Sequence, residues 1–442
     1  MKQLSGFSFP LFLTSLLLCT LASCSVSKQI SKQADRILLK DSAISQGHIG
    51  ISIYEPATGR YWYEHDAEKY FVPASNTKLF TLYAGMKYLG DSLVGLRYVE
   101  TPDSIFLQGT GDPTLLHPGF LSQPVFSFLK SINKKQAFRI NSKDNFDELG
   151  SGWAWNDFES SYMAERSAFP VYGNVVTFRL TGGKLQSSPA SFAKNLYMVI
   201  PSTGNFNLNR PQNSNKFFLS GSNTKFTTQE IPFKTGKTTT ALAILFDSSG
   251  IMPSSITLQI LPALPANAST IYSQPADSLF KPMMHQSDNF FAEQTLLMAS
   301  NEYLGYINES ALIDTLLKTH LKDIPQKPKW VDGSGLSRYN LFTPQSIVYL
   351  LNKLKNEFGW ERIKNILPTG GEGTISNYYK TDAGFIYAKT GTLSNNCALS
   401  GYLVTKKNKL LIFSVLANNY QTSATPVRRV VEKFLKNIRE KY

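Results

Sequence analysis

The stretch Val72-Pro73-Ala74-Ser75-Asn76-Thr77-Lys78-Leu79-Phe80-Thr81-Leu82-Tyr83-Ala84-Gly85-Met86 decides how the rest of the chain is read. Leu79, Tyr83, Met86 and Leu89 recur at helical spacing, which predicts a helix running to about Leu89. Ser75 opens it, where free backbone N–H groups and the helix dipole favour negative charge on a serine oxygen. Lys78 follows one turn later, so its amine can lie beside the Ser75 hydroxyl. To take that proton the amine must be neutral, far from its ordinary pKa of about 10.4. Burial and a second cation both push in that direction.

Two further elements, in this order along the chain, supply what such a pair lacks. Ser287-Asp288-Asn289 reads as an extended or tight loop whose first and third side chains point the same way. They can relay a proton and hold a substrate amide. Lys389-Thr390-Gly391-Thr392 continues a predicted strand, Phe385–Ala388. Lys389 with the Thr390 and Thr392 hydroxyls can clasp a terminal carboxylate and lend Lys78 a neighbouring positive charge. Copies of these short motifs occur elsewhere: Ser131 to Lys134, Ser191 to Lys194, Ser222 to Lys225, Lys234-Thr235-Gly236 and Ser394-Asn395-Asn396. A lone match of this kind is weak. Ser222 runs into a strand pattern, which would aim its lysine away from the serine. Only the Ser75 set has a helix behind the serine and the right order. The copies are expected to be surface polar residues.

Together the three elements resemble the S-x-x-K, S-x-N and K-T-G triad of penicillin-binding proteins and serine β-lactamases. Asp332-Gly333-Ser334-Gly335-Leu336-Ser337-Arg338, Leu367-Pro368, Gly373-Thr374, Gly109-Thr110-Gly111-Asp112-Pro113 and the run into Phe291-Ala292-Glu293 narrow this. They are similar to the class C low-molecular-mass penicillin-binding proteins, D-Ala-D-Ala carboxypeptidases and endopeptidases. For Gly109 to Pro113, plain turn chemistry is an equal reading. The resemblance implies an α/β (α+β) β-lactamase/transpeptidase-like domain interrupted by a large β-rich insert. It implies a Ser75 acyl-enzyme, Lys78, Ser287 and Asn289 as its catalytic partners, and an oxyanion hole from the Ser75 and Thr392 N–H groups. Peptidoglycan stem peptides would be the substrate and β-lactams covalent inhibitors, with no cofactor and no metal. An insert shorter than in well-known members would leave open any selectivity the family assigns to it.

The chain is organised accordingly. Residues 24–90 and 278–442 are expected to form the catalytic domain and 91–277 the insert. After a polar linker from Ser25 to about Lys32 and a short helix, Gln33–Lys40, a hairpin is predicted (Ile49–Tyr54, Arg60–Glu64). The insert shows short β-like runs at Ser104–Gln108, Asn174–Leu180, Leu196–Ile200, Thr240–Phe246 and Ile256–Ile260. Helical periodicity returns at Phe290–Met298, Ser310–His320 and Pro344–Phe358. Strands Leu399–Thr405 and Lys409–Ala417 and a final helix, Pro426–Glu440, close the chain.

With 442 residues the chain can form two or three domains with real cores. Its formal charge of +13 is scattered rather than clustered, and no nucleic-acid motif accompanies it. A basic surface that tolerates anionic wall polymers or lipid headgroups is the expected role. At the N-terminus, Lys2 precedes an apolar stretch, Phe7–Leu21, too short for a stable span. It ends in Leu21-Ala22-Ser23-Cys24, which resembles a bacterial lipobox. Residues 1–23 then read as a signal peptide and Cys24 as an acylated anchor on a periplasmic-facing lipoprotein of the cell envelope. Cleavage would leave Cys397 as one free thiol, so no disulfide framework is expected.

Rival chemistries are weaker. A class A β-lactamase adds a Glu-x-x-Leu-Asn loop between the second and third motifs, and Glu293-Gln294-Thr295-Leu296-Leu297 lacks the Asn. A wall-binding scaffold that kept the fold would have no reason to retain all of Ser75, Lys78, Ser287, Asn289 and Lys389. Ile231 stands where a phosphate loop ending in Gly236-Lys237-Thr238 needs its first glycine. The five histidines, 48, 65, 117, 285 and 320, show no metal-ligand spacing.

Overall fold

A computed structural model describes residues 26–182, 184–199, 207–220, 228–236, 238–249, 256–262, 264–265 and 267–442. The chain divides into two compact units. One comprises the residues up to Pro73 with Phe342–Glu357 and Pro368–Tyr442; the other comprises Ala74–Leu341 and Phe358–Leu367.

The first unit is built on a five-stranded sheet. Its order is Ile386–Leu393, Asn396–Val404, Leu410–Asn418, His48–Glu55, Arg60–His65, every neighbour antiparallel. Ile49, Ile51 and Ile53 alternate along their strand and join a buried core with Val427, Val431, Phe434, Leu435 and Ile438 of the helix Ala424–Lys441. That helix buries a stripe at i, i+4, i+7, i+8 and i+11, the spacing of one helical face. The same core takes Ile30, Ala34, Ile37 and Leu38.

Those four residues correct one expectation. Residues 26–34 are helical and run into a π-helical stretch, Asp35–Leu39. The segment read as a polar linker up to Lys32 is therefore ordered from residue 26. Its apolar members are sparse, but they fall at i, i+4, i+7 and i+8, enough to seat one face in a core.

In the second unit, the helix Lys78–Tyr88 packs against Asn289–Leu304. Residues Phe290 to Asn301 of the latter are all buried, which is why neither helix shows a clear polar side. A five-stranded sheet orders Ile256–Leu261, Lys135–Asn141, Ser104–Gly109, Ser92–Glu100 and Ser269–Pro275. Two three-stranded sheets accompany it, one of them Thr228–Pro232, Val175–Thr181 and Lys184–Ser188. Helices Pro124–Ser131 and Thr239–Ser249 also belong here.

The second of those helices overturns the β-like reading of Thr240–Phe246. Ala241, Leu242, Ile244 and Leu245 are buried, a pattern of i, i+1, i+3, i+4 that a strand cannot present to one side. A short apolar run does not tell helix from strand by itself.

Candidate active site

Ser75 lies in a single 3-10 turn, Ala74–Thr77, that runs directly into the helix beginning at Lys78. The residue before it, Ala74, has φ of 47°, a left-handed backbone that costs a side-chain-bearing residue about 1–3 kcal/mol. Such strain persists only where the surroundings fix it. Here the fixing loop is Asp332 to Gly335: a Cβ on Gly335 would lie 2.0 Å from the Ala74 carbonyl oxygen. Gly335 itself has φ of 83°, so glycine satisfies two demands at that position.

Lys78 is fully buried. Its Nζ lies 3.0 Å from Ser75 Oγ, 2.6 Å from Asn289 Oδ1 and 2.7 Å from the Ser334 carbonyl oxygen. Two of these neighbours can only accept, whereas the serine hydroxyl can donate or accept. A neutral amine therefore gives its two hydrogens to Asn289 and Ser334 and points its lone pair at the Ser75 hydroxyl. Burial drives this, pulling the Lys78 pKa down to about 8, against Asp332, Glu293 and Asp288, which pull it up.

Asn289 is aimed by its other end, since Nδ2 donates to the Tyr162 carbonyl at 3.0 Å. Its neighbour Asp288 caps the helix, accepting from the Phe291 N–H at 2.8 Å, a common way to fix a helix start. Ser287 sits in the left-handed region with φ of 60°. It lines a cleft of about 360 Å³ together with Asn289, Tyr162 and Glu230.

Four participants were given no role from the sequence, although Asp332, Ser334 and Glu293 stand in stretches that carry the resemblance. Ser334 acts through its backbone carbonyl. Asp332 ties its loop together, accepting from the N–H groups of Gly335 and Ser337 at 2.9 and 2.7 Å, from Asn340 Nδ2 at 2.7 Å and from Trp153 Nε1 at 3.0 Å. Glu293 Oε1 accepts from the Ser334 N–H at 2.7 Å, and Arg166 Nη1 lies 3.3 Å from Glu293 Oε2. One signal was available: Glu293 is a charged residue amid an apolar helical run, one turn after Asn289.

Lys389, Thr390, Gly391 and Thr392 belong to the other unit, on the strand Ile386–Leu393. Lys389 is buried and donates to the Thr390 carbonyl at 2.7 Å. The Thr390 hydroxyl donates to Thr374 Oγ1 at 2.7 Å, which gives Gly373-Thr374 a concrete role. Gly391 stands opposite Ala398 in the sheet. Thr392 Oγ1 accepts from the Arg428 guanidinium, a cation that motif reading did not supply.

The motif copies are placed otherwise. Ser131 ends a helix rather than opening one, and Lys134 pairs with Glu100 at 2.7 Å. Ser191 and Lys194 fall within a 3-10 segment, Ala190–Asn195. Thr235 and Asn396 are buried, against the expectation of surface polar residues. Thr235 earns its place structurally, donating both its N–H and its hydroxyl to Glu165. Ser222 to Lys225 and Cys24 lie outside the described residues.

A serine hydroxyl held beside a buried lysine of lowered pKa, with an amide positioned next to both, can perform nucleophilic acyl transfer without a histidine. Comparison with known proteins agrees with that chemistry. The model of the D-Ala-D-Ala carboxypeptidase 3 (S13) family matches residues 30–438. A D-alanyl-D-alanine carboxypeptidase of Actinomadura sp. strain R39 is 26% identical over 439 residues, 88% of this chain and 80% of that protein. The crystal structure of penicillin binding protein 4 (dacB) from Haemophilus influenzae superposes with a TM-score of 0.71 at 20% identity. It covers 92% of this chain and 98% of the other. A crystal structure of the same H. influenzae protein complexed with a β-lactam superposes at 0.66 with 17% identity, covering 93% and 98%. These structures share the fold of this chain.

Proposed function

The chain belongs to the D-Ala-D-Ala carboxypeptidase 3 (S13) family and is a serine-type D-Ala-D-Ala carboxypeptidase of peptidoglycan; we propose that Ser75 is the residue that peptidoglycan stem peptides acylate. Ser75 Oγ attacks the carbonyl of the D-Ala-D-Ala bond while its proton passes to Lys78 Nζ. Collapse of the tetrahedral intermediate breaks the C–N bond, and the departing amine of D-Ala takes the proton from Lys78. Water, deprotonated in the same way, then hydrolyses the ester. Asn289 holds Lys78 and the substrate amide, and Ser287 relays protons. Lys389, Thr390 and Thr392, around Gly391, take the terminal carboxylate. One observation carries the assignment: Lys78 Nζ within 3.0 Å of Ser75 Oγ, its two other neighbours being acceptors.

The β-lactam complex of the H. influenzae protein supports β-lactams as ligands of this chain too, and the Ser75–Lys78 pair would make them covalent inhibitors. The experiment is to treat the protein with a labelled penicillin and map the adduct by mass. The label is expected on the peptide containing Ser75. Label on another serine, or none under excess drug, overturns the assignment. Rapid release of hydrolysed drug would instead make it a β-lactamase. The same acyl-enzyme serves an endopeptidase when the leaving amine belongs to a crosslinked strand. Digesting crosslinked and uncrosslinked wall fragments, and reading the products by mass, separates the two activities.

The envelope location is proposed to rest on Cys24, lipidated after removal of residues 1–23. The apolar run Phe7–Leu21 and its Leu21-Ala22-Ser23-Cys24 ending support this. Among the described residues no helix is long and apolar enough to cross a membrane. Because the chain is helical from residue 26 on, the proposed anchor attaches close to folded protein. Cys24→Ala should release the protein or strand it as precursor. A chain starting at Ser25 that stays with membranes after a high-salt wash would overturn the anchor.

A further inference from the structure

Arg166 lies far from Ser75 in sequence, between strands of the 91–277 segment, yet its guanidinium side chain is only 3% exposed. Its Nη1 contacts two carboxylates, Glu293 at 3.3 Å and Glu309 at 3.0 Å. Its Nε donates to the Asp147 carbonyl at 2.9 Å, and the group lies 5.7 Å from the Trp153 ring centre. Trp153 in turn donates to Asp332 at 3.0 Å. Two of these three carboxylates hold one loop: Glu293 receives the Ser334 N–H, and Asp332 the Gly335 N–H. The Ser334 carbonyl on that loop receives Lys78 Nζ at 2.7 Å.

We propose that Arg166 is a positioning residue for the acyl-transfer step, holding the Lys78 amine through Glu293 and the Ser334 backbone. This rests on Lys78 being the base, as argued above, and gives the 91–277 segment a part in catalysis.

Lys78 faces the carboxylates Asp332, Glu293 and Asp288, and a buried neutral amine is favoured only while their combined pull is limited. Arg166 offsets two of them, Glu293 and Asp332, and is shared with Glu309. The carboxyl of Glu293 is pushed upward by burial and by Asp332 and drawn back down by Arg166. Without Arg166 the charge of Asp332 stands uncompensated near Lys78, joined by that of Glu293 once its carboxyl, no longer drawn down, ionises at higher pH, and the amine holds its proton to higher pH.

The test is the rate of Ser75 acylation by a fluorescent penicillin, followed from pH 6 to pH 10 on the full mature chain. In the wild type the rate should rise through the Lys78 titration. Arg166→Met should move that rising limb up by about one pH unit, a loss of about tenfold at pH 7 that is regained near pH 10. Arg166→Lys should restore the limb toward the wild-type position. Glu293→Gln keeps an acceptor for the Ser334 N–H and removes one negative charge, so its limb should move down. This second variant carries the test if Arg166→Met does not fold, since its predicted shift has the opposite sign. Folded variants with unmoved limbs, or an equal loss at every pH, overturn the positioning role. Wild-type label mapped away from Ser75 would instead overturn the function on which it rests.

Discussion

Oδ1 of Asn289 lies 2.6 Å from Nζ of Lys78, across 211 positions of sequence. Because Asn289 Nδ2 is committed to the Tyr162 carbonyl, the amide cannot flip without losing both bonds. Lys78 is therefore presented with an oxygen that accepts but carries no charge. Asn289→Asp would keep the shape and add a full negative charge at hydrogen-bond distance. That charge favours the ammonium, so acylation by penicillin should fall about 10²-fold at pH 7 and recover partly above pH 9. A pH series of labelling rates checks this; loss that stays constant with pH would contradict it.

Lys78 and Lys389 carry the same charge in different settings. Lys78→Ala removes the base, so acylation should collapse by about 10²-fold or more with every substrate. Lys389→Ala should act in part through carboxylate binding, so a share of its loss should appear in KM. Steady-state kinetics on a D-Ala-D-Ala peptide distinguish them. Equal, small losses for both would remove these residues from the site.

The lowered pKa of Lys78 is also a statement about stability. Its folded pKa of about 8 lies below its ordinary 10.5, so the folded state binds the proton less tightly than the unfolded chain. The destabilisation is absent above about pH 10.5, grows as pH falls toward 8, and is fully present below that. A shift of this size corresponds to about 3 kcal/mol, less what Lys78 returns through its bonds. Lys78→Met should be inactive yet raise the melting temperature, by more at pH 7 than at pH 10. Melting curves at the two pH values decide it; a variant less stable at pH 7 than the wild type would refute the sign.

Gly335→Ala tests the buttress behind Ser75. The added methyl would meet the Ala74 carbonyl at 2.0 Å from a backbone with φ of 83°. Relief requires moving either the loop or the turn that holds the nucleophile. Stability should fall by about 1–3 kcal/mol and acylation should fall with it, read by thermal melting and penicillin labelling. Wild-type acylation in this variant would show that the loop does not position Ser75.

The Ser75–Lys78 pair was legible because its geometry is local: three residues of spacing at a helix start fix their proximity. Asn289 was legible through motif order, although nothing in sequence fixes its 2.6 Å contact. Ser334 stands in a stretch that carried the resemblance, but its role was invisible for a physical reason. It contributes a carbonyl, which every residue has, and it reaches Lys78 across 256 positions. Arg166 and Glu293 are joined across 127 positions, and a charge pair buried by folding leaves no periodic trace. Thr240–Phe246 was misread because seven mostly apolar residues suit either a strand or a buried helix, and burial on a helical stripe decided it. Residues 26–32 were misread as a linker because polar residues on the outward face outnumber the few that seat inward.

The first unit joins stretches of chain that lie far apart in sequence. Its strand His48–Glu55 lies beside Leu410–Asn418, Lys409 pairs with Glu55 over 354 positions, and the Tyr442 hydroxyl donates to Gln29 over 413. Closing loops of that length comes late and slowly. On a ribosome or an export channel, the hairpin must wait, with its apolar isoleucines uncovered, until Leu410–Asn418 and Ala424–Lys441 emerge. Loss of the helix Ala424–Lys441 would leave that hairpin unshielded, so nonsense changes that remove it should behave as aggregation or degradation alleles, not as mildly shortened enzymes.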